Sequence, residues 1–96
     1  MKKTQIPESF LLKNHEFVPE SFWRKITNYD PSERLLLLYL LTNPKRKHST
    51  IYPISLKITA IDIGINDKIV EKMIRKFDAD GLTCYANGQI NIGNLV

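Results

Sequence analysis

Apolar side chains in the second half of this chain change period several times, and each change marks an element. Between Asn66 and Gly81, Val70, Met73, Ile74 and Phe77 recur at the i, i+3, i+4, i+7 spacing that lines one face of a helix. Lys68, Glu71, Lys72, Arg75 and Lys76 fall on the opposite side. Asn66 suits the N-cap, where a side-chain oxygen accepts from an otherwise unpaired amide, and Gly81 can take the left-handed conformation that ends a helix. The spacing predicts a helix over residues 67–79. Beyond it, Leu82 to Ala86 and Gln89 to Ile92 are two β-prone runs joined by Asn87-Gly88. Both turn residues tolerate the positive φ of a tight turn, so a hairpin is expected with Ala86 facing Gln89, Tyr85 facing Ile90 and Thr83 facing Ile92.

The segment from Ile51 to Ile65 carries two periods at once. Ile54, Leu56, Ile58 and Ala60 alternate as in a strand. Against that, Ser55 is a good N-cap, Ile58, Ile61 and Ile65 keep a helical spacing, and Gly64 is a natural stop. A strand over 51–54 and a helix over 56–63 reconcile the two, the helix resting partly on the resemblance given below.

Upstream, Asp30-Pro31-Ser32-Glu33 opens a helix, with Asp30 as cap, Pro31 in the first turn and Glu33 placed to close a capping box. The run Leu35 to Leu41 is apolar on nearly every side and predicts the central core helix, ending near Asn43 because Pro44 disfavours helical geometry before it. Pro19-Glu20 opens a short helix through about Thr27 with Phe22, Trp23 and Ile26 as its buried face. Pro7-Glu8-Ser9-Phe10 and Pro19-Glu20-Ser21-Phe22 resemble each other, but two copies of four residues make no repeat architecture. Residues 1–17 read as an N-terminal arm to a domain over 18–96. Phe10, Leu11, Leu12 and Phe17 are too apolar for a free tail, so either they dock on the domain or they join two copies as a homodimer, and the second is favoured slightly.

Composition narrows the class. Ninety-six residues with 43% hydrophobic and 25% charged side chains make one small soluble domain without room for a second. The longest apolar run is far short of a membrane span, and Met-Lys-Lys at the start leads into polar residues and Pro7 rather than a secretory signal, so a cytoplasmic protein without membrane contact is expected. One cysteine, Cys84, makes no internal disulfide and reads as a small apolar strand residue. With only His15 and His48 beside it there is no recognisable metal set, and no Gly-rich phosphate loop, so neither catalysis nor a cofactor is expected. The net charge of +4 is unevenly spread: residues 44–76 hold eight basic side chains against three acidic, and residues 77–96 none against two. That points to a polyanionic partner. Lys45, Arg46, Lys47 and His48 form a loop cluster that is either a solvated turn or a phosphate clamp, and the charged face of the 67–79 helix is, taken alone, that of an ordinary solvated helix.

Strand, helix, helix and hairpin in that order are the plan of a winged helix-turn-helix, with the 67–79 helix as reader. The fold expected is α+β and mostly α: three core helices, a short extra helix at the N-terminus and a C-terminal β-hairpin wing. Ser21-Phe22-Trp23, the run Leu38-Tyr39-Leu40-Leu41-Thr42-Asn43-Pro44, Ile51-Tyr52-Pro53-Ile54-Ser55, Gly64, Phe77 with Asp80-Gly81, and Asn94 resemble the winged-helix N-terminal domain of phage replisome organisers and related DnaD-like primosomal replication proteins. Family members often carry Gly before the Ile-Tyr pair, where this chain has Thr50. They also often continue into a linker and a second domain, so this chain is read as a fragment or a short stand-alone form.

The resemblance implies a DNA-binding domain in phage or plasmid-type replication initiation, binding an origin or single-stranded DNA and recruiting a helicase loader or primosome component. Within such a fold, Lys68, Glu71, Lys72 and Arg75, with Asn66 and Lys76 beside them, face the major groove. Asn87 and Gln89 face the minor groove or backbone, and Lys45, Arg46 and Lys47 the phosphates. A winged-helix transcription regulator and a protein-interaction or dimerisation module remain the competing readings, because fold does not fix function.

Overall fold

A computed structural model of the chain describes residues 18–96; the arm expected at 1–17, with its docking or dimerising apolar residues, lies outside them. The order is α1 (Glu20–Lys25), α2 (Pro31–Thr42), a 3-10 turn (Pro44–Arg46), β1 (Ile51–Pro53), α3 (Leu56–Ile63), α4 (Asp67–Ala79), β2 (Cys84–Ala86) and β3 (Gln89–Asn91). The result is a compact α+β body of four α-helices and one three-stranded antiparallel sheet.

Each helix begins where its capping chemistry places it. Asp30 accepts from the Glu33 amide at 2.8 Å while the Glu33 carboxylate accepts from the Asp30 amide at 3.0 Å, which completes the capping box of α2. Ser55 Oγ accepts from the Ile58 amide, settling the 51–65 conflict in favour of a helix, and Gly64 at φ +75° closes it. Asn66 Oδ1 accepts from the Lys68 amide at 2.8 Å and opens α4. After α4, Gly81 at φ +81° lets the Leu82 amide turn back to the Phe77 carbonyl.

Leu36, Leu37, Leu40 and Leu41 of α2 are buried together with Val70, Met73, Ile74 and Phe77 of α4, and the core also takes in Phe22, Ile26, Tyr52, Ile90, Ile92 and Leu95. Burial of this much apolar surface is what holds so small a domain together. Several expectations need correction. Helix α1 ends at Lys25 rather than near Thr27, and Trp23 is not part of its buried face: it stands half exposed, edge-on to the Phe22 ring with centroids 5.1 Å apart. Leu35 is likewise half exposed, so α2 has a wet side. In α3 the buried residues are Thr59 and Ala60, whereas Ile58 and Ile61 face solvent. Cys84 lies in a strand as expected, but exposed rather than packed.

The hairpin forms in the expected register, Ala86 opposite Gln89 and Tyr85 opposite Ile90, around Asn87 at φ +54° and Gly88 at φ +75°. It is not free-standing. β3 lies between β2 and β1, pairing Tyr52 with Ile90 and Ile51 with Asn91. Bonds from the Ile54 amide to the Gly88 carbonyl and from the Ile92 amide to the Thr50 carbonyl extend that ladder at both ends. Tyr52 reaches through the core to donate to the Leu40 carbonyl at 2.6 Å, and burial holds its hydroxyl far above the ordinary range. The sheet is thereby tied to the end of α2.

Candidate nucleic-acid interface

The positive side chains were expected on one face of α4 and in the loop after α2, and the two places fare differently. On α4, the fully buried stripe fixes which way the rest of the helix points. Lys68, Lys72 and Arg75 are exposed on the side away from Val70, Ile74 and Phe77. Glu71 is half buried and accepts from Arg75 at 2.6 Å, an i, i+4 pair that holds the guanidinium along the helix surface. Asn66 is exposed, but its side-chain oxygen is committed to the helix cap.

Lys76 is placed otherwise. Its ammonium lies 2.9 Å from a carboxylate oxygen of buried Glu33 and 5.2 Å from the centre of the Tyr29 ring. The Glu33 contact, ahead of weaker attractions to Asp80 and Asp30, raises its pKa above the usual lysine value. Tyr29 in turn donates to Asp80 and packs edge-on against Phe77, and burial followed by the Asp80 bond lifts its hydroxyl to about 12. Lys76, half exposed, therefore also fastens α4 to the start of α2. Spacing alone could not reveal this, since Glu33 is distant in the chain.

Arg46 is the second correction. The loop expected to offer three cations offers two, for Lys45 and Lys47 are exposed while Arg46 is buried. Its guanidinium donates to the Leu41 carbonyl at 2.8 Å and to the Ser49 carbonyl at 2.7 Å. A helix end leaves carbonyls without partners and carries partial negative charge, and an arginine folded back over it answers both. Asn43 accepts from the Lys45 amide at 2.9 Å, and left-handed backbone at Lys47 and His48 turns the chain towards β1.

Asn87 and Gln89 are exposed at the hairpin tip. The hairpin is anchored to the end of α4 by Asp78, whose carboxylate accepts from the Thr83 hydroxyl and from the Tyr85 amide at 3.1 Å. Asn94 adds a bond to the Gly81 carbonyl at 2.9 Å. The base of the hairpin is thus fixed to the end of α4 by short polar contacts.

Lys57, on the exposed side of α3, was not among the expected contacts. The only signal for it was the charge excess of residues 44–76, which includes it. Among the described residues, no group of three or more His, Cys, Asp or Glu could hold a metal ion, and no helix is long and apolar enough to cross a membrane. No family model, no curated protein and no solved structure matches this chain.

Proposed function

We propose that the chain is a winged helix-turn-helix domain that binds DNA, with α3 and α4 as the helix pair, α4 as reader and the β2–β3 hairpin as wing. The observation that carries this reading is the face of α4 bearing Lys68, Lys72 and Arg75, exposed opposite a stripe buried to the last side chain. A helix held rigidly by its apolar side presents its basic side to a groove without reorganising. Lys45 and Lys47 supply phosphate contacts, and Asn87 and Gln89 reach the minor groove or the backbone from the wing. Arg46 serves the fold instead, and Lys76 is paired with Glu33.

Replication initiation, with recruitment of a helicase loader or primosome component, rests on the family resemblance alone. A mobility-shift titration of duplex and single-stranded DNA at low salt tests the binding reading, and a chain that shifts neither overturns it. Footprinting then separates the biological roles: an iterated origin site supports initiation, whereas a site overlapping a promoter supports transcription control. No chemistry is assigned to this domain.

A further inference from the structure

Helix α3 buries Thr59 and Ala60, packs Leu56 and Ile63 partly against the core, and leaves Ile58 and Ile61 outside. Ile58 is 49% and Ile61 78% exposed, while Thr59 and Ala60 face the core. Scattered exposed isoleucines are ordinary, but these two lie one turn apart on one helix face. Lys57 and Asp62, both exposed, flank them. Ile65, just past the Gly64 stop, borders an open hollow of about 400 Å³ together with Ile61, Ala60 and Gly64.

Within the helix, Lys57, Ile58, Ile61 and Asp62 fall in the g, a, d and e places of a heptad. In a parallel pair of such helices the g side chain of one copy meets the e side chain of the other. Lys57 would then stand against Asp62 of the second copy, and symmetry repeats the contact. An antiparallel pair sets Lys57 against Lys57 and Asp62 against Asp62, which the like charges disfavour. Asp62 already accepts from the Tyr39 hydroxyl at 2.7 Å, and a carboxylate has two oxygens with which to accept more than one donor.

We propose that the outer face of α3 docks a second copy of this chain, Ile58 and Ile61 meeting their counterparts in a parallel pair with Lys57 and Asp62 matched across it. Helix α3 has eight residues. Two turns of helix cover well under the roughly 800 Å² per partner of a standard interface, so the pair belongs to the weak, concentration-driven class. If the DNA reading above holds, neighbouring copies on one duplex would reach the local concentration at which such a pair forms.

The test uses the full chain without nucleic acid, so its outcome is independent of the DNA reading. Sedimentation and amide chemical shifts are followed from about 50 μM to about 1 mM, the range in which a weak pair populates. The average mass should rise with concentration and the shifts of residues 57–65 should move with it. Ile61→Lys should lose both changes, and Lys57→Asp should weaken association several-fold. Exchanging the charges in one chain, Lys57→Asp with Asp62→Lys, should restore it. Should the exchange fail to fold because Tyr39 loses its partner, Ile61→Lys and Lys57→Asp carry the test by themselves. A chain that stays monomeric at the highest concentration overturns the proposal. So does association that Ile61→Lys leaves untouched, or a folded exchange variant that restores nothing.

Discussion

Helices α3 and α4 are joined only by Gly64, Ile65 and Asn66, yet they seat their apolar residues differently. In α4 the stripe Val70, Met73, Ile74 and Phe77 is buried throughout, and Ile69 lies half exposed with the charges outside it. In α3 the bulky Ile58 and Ile61 face solvent while Thr59 and Ala60 sit within. The difference follows from position. α4 packs against both α3 and β2, whereas α3 packs mainly against α4 and has Leu56 and Ile63 only partly buried on the core. A helical spacing of isoleucines identifies a helix; it does not say which face is inside.

The contrast is broken or sharpened first by stability. Phe77 is fully buried, so Phe77→Ala should cost roughly 3–5 kcal/mol, a large share of what a small domain has. Leu40→Ala, at a fully buried site of α2, belongs in the same class, whereas Leu38 is only partly buried and should cost less. Denaturant titration reads both. A Phe77→Ala loss near zero would mean that α4 is not seated as described.

How much of this was legible in sequence depends on how local the cause is. Asp30 with Glu33, Ser55, Gly64, Asn66 and Asn87-Gly88 act on their own backbone neighbours, and the ends of α2, α3, α4 and the hairpin turn fell where those residues put them. Arg46 reaches back five residues over a turn, and Lys76 and Tyr52 act over distance. Their partners are the Leu41 carbonyl at a helix end, Glu33 on another helix and the Leu40 carbonyl across the core. No spacing rule reveals those pairs, so Arg46, counted as surface charge, proved to be buried, and Lys76, half exposed, to be paired with Glu33. The pairing of β1 with β3 was hidden for the same reason, since nothing near Ile51 names Asn91.

Smaller effects separate the local devices from the distant ones. Asp30→Ala removes the cap of α2 and should cost about 1 kcal/mol by thermal melt, while α4 keeps its own cap. The Tyr29 contact predicts a pH dependence. Its hydroxyl is raised from 10.0 to about 12 in the folded chain, so the unfolded chain loses that proton first. Stability from this group is complete below pH 10 and falls as pH rises towards 12. Tyr29→Phe should therefore make the alkaline loss of stability shallower, as measured by unfolding across that window, with the remaining slope set by Tyr39, Tyr52 and Lys76. The smallest effect belongs to α3: Ile61→Ala should change stability by no more than about 0.5 kcal/mol, because its side chain already faces water. A loss near that of Phe77→Ala would remove the contrast between the two helices.

The central claim is that α4 offers Lys68, Lys72 and Arg75 to DNA while Lys76 is held by Glu33. It is tested most directly by the salt dependence of duplex binding. Each neutralised phosphate contributes about −0.9 to the slope of log affinity against log salt. Lys72→Ala should make that slope shallower by about one unit, and Lys76→Ala should leave it unchanged while lowering the melting temperature. Equal slopes for the wild type and Lys72→Ala, or a change for Lys76→Ala as large as that expected for Lys72→Ala, would contradict the account.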